Sequence, residues 1–109
     1  MAVKRWLGTE KKVCEALGKR HIGGPGEPDC RGGGEVVEVK SQRRPVNQWQ
    51  MKEILGKPWS AGRPTIVAST SGFTPGARRL AASRPGAYMF KVYGSGSARS
   101  SRRINPSRG

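Results

Sequence analysis

One histidine, two cysteines and no carboxylate after Glu53 are the first limits that this 109-residue chain sets. A single histidine, His21, with Cys14 and Cys30 in no CxxC pattern, leaves too few ligands for a structural zinc site. The two cysteines read as reduced and structural, one on a helix and one beside an acidic cluster, although a disulfide between them stays open. No stretch approaches the roughly 18 apolar residues of a membrane span. The first residues, MAVKRWLGTEKK, lack the apolar run of a secretory signal. The expectation is a soluble, intracellular (cytoplasmic) protein of one domain with one modest core and no membrane partner.

The missing acids shape the charge. Lys and Arg number 21 against 7 Asp and Glu, a formal net charge of +14. All seven acids lie at or before Glu53, while residues 54–109 carry ten Lys/Arg. Such a surface predicts a polyanionic partner. Without a basic amphipathic helix bearing an aromatic face, nucleic acid ranks ahead of an acidic membrane. The few carboxylates retained in the first half then become informative, though local charge balance accounts well for Glu15 and Glu53.

The stretch GEPDCRGGGEVVEVKSQ, residues 26–42, organises the rest. It sets Asp29 before a glycine turn and Glu38 and Lys40 on a valine-rich strand, 35–40. Successive strand side chains point to opposite faces. Val37 and Val39 therefore face one way, and Val36, Glu38 and Lys40 the other. Glu38 and Lys40 fall about 7 Å apart on one face at about 3.3 Å per residue. Either they form an ion pair on a solvated face, or they belong to a metal-dependent phosphodiesterase site, with Asp29 and Glu38 as oxygen ligands and Lys40 beside the reacting water. Asp29 also suits a turn after Pro28.

Residues 4–18 read as a helix with Trp6, Leu7, Val13, Cys14 and Leu17 apolar and Gly18 as its stop. At about 100° per residue Glu10 falls inside the apolar stripe and Glu15 opposite it. If the helix runs through, Glu10 points into the domain and needs a partner there. If it begins at Gly8-Thr9, Glu10 is a first-turn acid favoured by the helix dipole. Residues 19–28 are a turn-rich connection around Gly23–Gly26 with a short strand possible at 19–22. His21 in it suits a surface or phosphate contact better than a catalytic base. Asp29–Arg31 and Gly32–Gly34 suggest a strand and hairpin turn.

Residues 45–56 predict a helix opening on Pro45, with Trp49 in the core and Gly56 as stop. Loop 56–63 follows, with Trp59 packing over the core or stacking on a base. The apolar run 64–70 predicts a buried central strand. Thr74 and Pro75 open a helix over 75–83, with Ala77, Leu80 and Ala81 inward and Arg78 and Arg79 free to reach solvent or phosphate. Residues 86–92 read as a last strand. From Gly94 the chain is Gly, Ser and Arg-rich, which predicts a disordered basic tail, 94–109. Its four arginines would add salt-sensitive affinity for nucleic acid. This order of elements predicts a three-layer α/β domain over residues 1–93 with a central mixed sheet.

Pro28-Asp29, then Glu38-Val39-Lys40, with Glu10 on the preceding helix, resembles the PD-(D/E)xK nuclease superfamily. The segment TIVASTSGFTPGARRLA, residues 65–81, resembles the late strand and helix of Mrr-type restriction endonuclease domains. Together the likeness spans about residues 5–92. It implies a restriction-endonuclease-like fold and a metal-dependent DNA endonuclease with no small-molecule cofactor. Mg²⁺, or Mn²⁺, would be held by Asp29, Glu38, the Val39 carbonyl and Glu10, directly or through water. Glu10, Asp29, Glu38 and Lys40 would form the catalytic set, with Lys40 orienting water or stabilising charge. Gln42, Arg43, Arg44, Ser71, Arg78 and Arg79 would contact DNA.

Many Mrr-type domains carry glutamine where Glu38 stands. The acid brings this chain closer to archaeal-type Holliday-junction resolvases, which are small, basic, dimeric nucleases. Mrr-type enzymes usually add a recognition domain for which this chain has no room, so recognition of DNA shape is favoured over sequence. The expectation is a structure-directed endonuclease, active as a homodimer. The competing class is a non-catalytic basic nucleic-acid-binding protein. It shares the charge but leaves the clustered Glu10, Asp29, Glu38 and Lys40 unexplained.

Overall fold

The computed structural model describes residues 10–93 and 97–104. In chain order its elements are helix α1 (10–16), strands β1 (Arg20–His21), β2 (Cys30–Gly32) and β3 (Glu35–Lys40), helix α2 (Gln48–Leu55), a 3-10 turn (Pro58–Ser60), strand β4 (Thr65–Ser69), helix α3 (Pro75–Ala82), and strands β5 (Ala87–Tyr93) and β6 (Ser97–Ile104). The six strands form one sheet in sequence order. β1, β2 and β3 are antiparallel, β3, β4 and β5 are parallel, and β6 returns antiparallel on β5. The mixed α/β architecture thus matches the expectation at that level.

Local chemistry accounts for the joints. Gly33 and Gly34 both take positive φ, 61° and 80°, between Gly32 and its register partner Glu35. That is the two-residue hairpin geometry that only glycine adopts without strain. α1 ends on Gly18 (φ 68°), with Lys19 N–H donating to the Cys14 carbonyl and Gly18 N–H to that of Glu15. This is a Schellman closure. Thr74 caps α3 by accepting from the Ala77 N–H, with Pro75 at the first helical position.

β4 runs through the middle of the sheet with all five residues buried, as a parallel strand covered on both faces must be. Its two crossovers step the same way across the sheet, so the right-handed rule places α2 and α3 on one face. There Val36, Met51, Ile54, Leu55, Trp59, Val67, Phe73 and Met89 form one core. Val13 and Cys14 of α1 cover the other face over Cys30, Val37, Val39, Ile66, Ala68, Phe90 and Val92. The strand alternation predicted for β3 therefore holds, with Val37 and Val39 under α1. Among the described residues no helix is long and apolar enough to cross a membrane.

Several expectations are corrected. Cys14 and Cys30 are joined as a disulfide with Cα atoms 5.6 Å apart, because the inward face of α1 lies directly over the start of β2. The middle helix does not open on Pro45. Val46 bridges to Phe73, and Asn47 caps α2 in a reciprocal box with Gln50. With the buried stripe set by Met51, Ile54 and Leu55, Trp49 falls about 200° from Met51 and is 68 % exposed rather than core. The tail was expected to be disordered from Gly94. Residues 97–104 instead pair with β5, since the β5 edge offers unpaired backbone groups that any sequence with free N–H and C=O can meet. The segment before Glu10, where the two readings of the first helix differ, lies outside the described residues, as do 94–96 and 105–109.

Candidate active site

The sheet edge where β2 stops short beside β3 opens into a cleft of about 600 Å³. Glu10, Asp29, Glu38, Val39, Lys40 and Gln42 all line it. The reason lies in the register. Cys30 pairs with Val37, so continuing the ladder would set Pro28 opposite Val39. Proline has no N–H to complete that pair. The ladder ends there, and the Asp29 carboxylate takes the place of the Pro28 carbonyl as acceptor, its Oδ2 receiving the Val39 N–H at 2.7 Å. Asp29 is thereby held, 8 % exposed, against the strand that carries Glu38 and Lys40.

Glu10 reaches the same place from α1 and is buried to 1 % exposure. The inward reading of this helix position is therefore the correct one. Its Oε1 lies 3.1 Å from His21 Nε2. Lys40 Nζ stands 3.8 Å from Glu38 Oε2, on the face the alternation predicted. Among the described residues no donor meets the buried Glu10 Oε2 or Glu38 Oε1, and the Asp29 carboxyl is within hydrogen-bonding reach of both side chains. Orphaned carboxylate oxygens in pairs are costly unless something else meets them.

The electrostatics follow from this crowding. Burial pushes the Glu38 carboxyl up to about 7, the neighbouring Asp29 charge adds to the effect, and Lys40 opposes it. Burial also raises Glu10, against the hydrogen bond from His21 and together with the Asp29 charge. Without a cation, burial disfavours the charged form of both carboxyls.

As they stand, no group of three or more His, Cys, Asp or Glu side chains among the described residues is set to hold a metal ion. The donor chemistry nonetheless fits one. Three carboxylates converge, all are oxygen donors suited to a hard divalent cation, and two buried oxygens meet no donor among the described residues. A cation would displace the protons that burial now favours.

The remaining predicted contacts fall outside this group. Arg43 and Arg44 are exposed on the loop after β3, and Arg78 and Arg79 are exposed on α3, none of them lining the cleft. The Ser71 hydroxyl donates to the Arg44 carbonyl at 2.6 Å and pins that loop. Gln42 does line the cleft, but its amide is engaged with the Gln50 side chain in both directions, at 2.9 and 3.1 Å. Residues not singled out from sequence complete the lining. Gly23, Gly24, Gly26 and Lys57 are among them, and Trp59, expected to pack over the core or stack on a base, lines the cleft as well. The glycine run was visible in the sequence as a turn. Nothing in the pattern of residues 56–63 marked Lys57.

No family model, no curated protein and no solved structure matches this chain. The fold and the cleft themselves define the class: a small, strongly basic α/β protein with a buried carboxylate cluster and an adjacent lysine at a sheet edge.

Proposed function

We propose that the chain is a metal-dependent DNA endonuclease of restriction-endonuclease-like fold, directed by DNA structure in the manner of Holliday-junction resolvases and active as a homodimer. The observation that carries this reading is the meeting of Glu10, Asp29, Glu38 and Lys40 in one cleft, where two buried carboxylate oxygens meet no donor among the described residues. The net charge of +14 supplies the attraction for a polyanion. A solvated ion pair of Glu38 and Lys40 would give no reason for Glu10 to be buried beside them.

Asp29, Glu38 and Glu10 would hold Mg²⁺ or Mn²⁺, with the Val39 backbone alongside. The bound cation would supply a more acidic water and a charge opposite that developing on the phosphoryl oxygens. The Val39 N–H fixes the Asp29 carboxylate in the required place. Lys40 orients the attacking water or offsets the growing negative charge. Hydrolysis forms one bond from water oxygen to phosphorus and breaks one bond to the sugar oxygen, which leaves with a proton. Lys57, exposed at the cleft, is placed to meet a neighbouring phosphate. An intracellular location goes with this substrate, and the Cys14–Cys30 bond persists there only where oxidised thiols are tolerated.

The test is incubation with a four-way DNA junction and a linear duplex of the same sequences, with Mg²⁺, Mn²⁺ or EDTA. The expected result is paired nicks in the junction only, dependent on metal, and reduced at least about 100-fold in Asp29→Ala and Lys40→Ala. Cutting of both substrates would keep the nuclease but replace the structure-directed reading with a general or Mrr-like one. Tight binding without cutting under any metal would make the protein a basic nucleic-acid-binding module instead.

A further inference from the structure

We propose that His21 is a positioning residue whose hydrogen bond orients the Glu10 carboxylate toward the cleft. The inference rests on the metal-dependent reading of the cleft given above. His21 Nε2 lies 3.1 Å from Glu10 Oε1, while the buried Glu10 Oε2 meets no donor among the described residues. Glu10 lines the cleft and His21 does not, so the imidazole acts through the carboxylate and not on a ligand.

The need for such a device is conformational. The last torsion of a glutamate is broad, with roughly two-fold symmetry, so packing of the side-chain stem alone does not fix the carboxylate plane. One hydrogen bond to one oxygen fixes it, and with it the direction of the other oxygen. A neutral imidazole protonated on Nε2 makes this bond, and no change of charge is required. The histidine is in turn held by β1, which pairs with β2 through His21 and Cys30. In the next residue, the Ile22 N–H donates to the Asp29 carbonyl at 2.8 Å. Two residues of one short segment therefore hold both Glu10 and the backbone of Asp29. Gly23 (φ 66°) then turns the chain away, and a Cβ there would sit 3.4 Å from the imidazole Cε1. This explains why so short a strand, with little core of its own, lies at the sheet edge beside the carboxylates.

The test measures Mn²⁺ binding by titration calorimetry on the full chain. His21→Leu and His21→Ala remove the donor, and His21→Gln restores one near the Nε2 position. Melting curves confirm that each variant is folded. The expected result is a loss of Mn²⁺ affinity of about 10- to 100-fold in His21→Leu and His21→Ala, with His21→Gln within about threefold of the unaltered chain. Unchanged affinity in the folded donor-free variants overturns the role of His21 and leaves the metal site standing. Equal losses in all three variants overturn it as well, since the hydrogen bond would not be the agent. No Mn²⁺ binding by the unaltered chain overturns both this role and the cleft reading.

Discussion

The two faces of the sheet are built differently. The face under α2 and α3 is filled by large apolar side chains: Met51, Ile54, Leu55, Trp59, Phe73 and Met89. Among the described residues, the buried side chains of the face under α1 are largely valine, alanine and cysteine with Ile66 and Phe90, Leu17 and Tyr88 pack against them half-buried, and the layer is crossed by a covalent bond. Glu10 enters the body of the domain from this second side. The contrast teaches a division of labour. Apolar burial holds the face toward which Val36, Glu38 and Lys40 point, and a disulfide braces the face from which Glu10 enters. Ion and hydrogen-bond chemistry weakens a small apolar layer, and a covalent link does not depend on that layer's depth.

The largest break in this contrast comes from the deep face. Met51→Ala removes a fully buried side chain and should cost about 2–5 kcal/mol in urea unfolding. Mn²⁺ affinity should stay unchanged while the variant remains folded. A loss below about 1 kcal/mol would mean that the α2–α3 core is not the principal store of stability. On the other face, Cys14→Ser with Cys30→Ser, or reduction of the bond, opens a loop with a sequence separation of 16. The expected cost is about 3 kcal/mol, read as a lower midpoint with dithiothreitol and no response to dithiothreitol in the double variant.

A pH series sharpens the comparison further. The Glu38 carboxyl is raised by burial to about 7 in the folded chain. The folded state therefore binds more protons than the unfolded state between about pH 4.5 and 7. Stability in EDTA should fall as pH rises through that window, and Glu38→Gln should flatten the slope. A slope that rises with pH in the unaltered chain would contradict the burial of this group. The smallest effect belongs to Trp49→Ser. That side chain is 68 % exposed, so the change should stay within about 0.5 kcal/mol despite the loss of an aromatic ring.

Legibility followed the kind of signal each element carries. β3 was readable because valine alternation and the two glycines of its hairpin act locally. So was α3, whose Thr74-Pro75 start is a local capping signal. The cleft was readable because carboxylates are few in so basic a chain, and three of them share the neighbourhood of one strand. The Cys14–Cys30 bond was not, because pairing depends on α1 lying across β2, a relation between elements far apart in the chain. Trp49 was misplaced for a different reason. Pro45 suggested a helix start, while the capping box of Asn47 and Gln50 sets the start three residues later and leaves Met51, Ile54 and Leu55 to define the inward stripe. β6 left no hydropathy trace, because backbone pairing along an edge does not require apolar side chains. Lys57 and the Gln42–Gln50 pair are likewise products of tertiary approach.

The disulfide turns residues 14–30 into a closed ring that contains β1, the turn at Gly23–Gly26 and Asp29. Glu10 sits one helical turn outside one end of the ring, and Asp29 is the last residue before the other. Local opening of a protein normally proceeds element by element. Here α1 cannot lift from the sheet while β2 remains behind, because the two are one covalent body. The carboxylates on either side of the bond keep a high effective concentration for each other even when the surrounding contacts fluctuate. A cation bound as proposed would meet two of its donors already assembled, their ordering cost having been met when the ring closed.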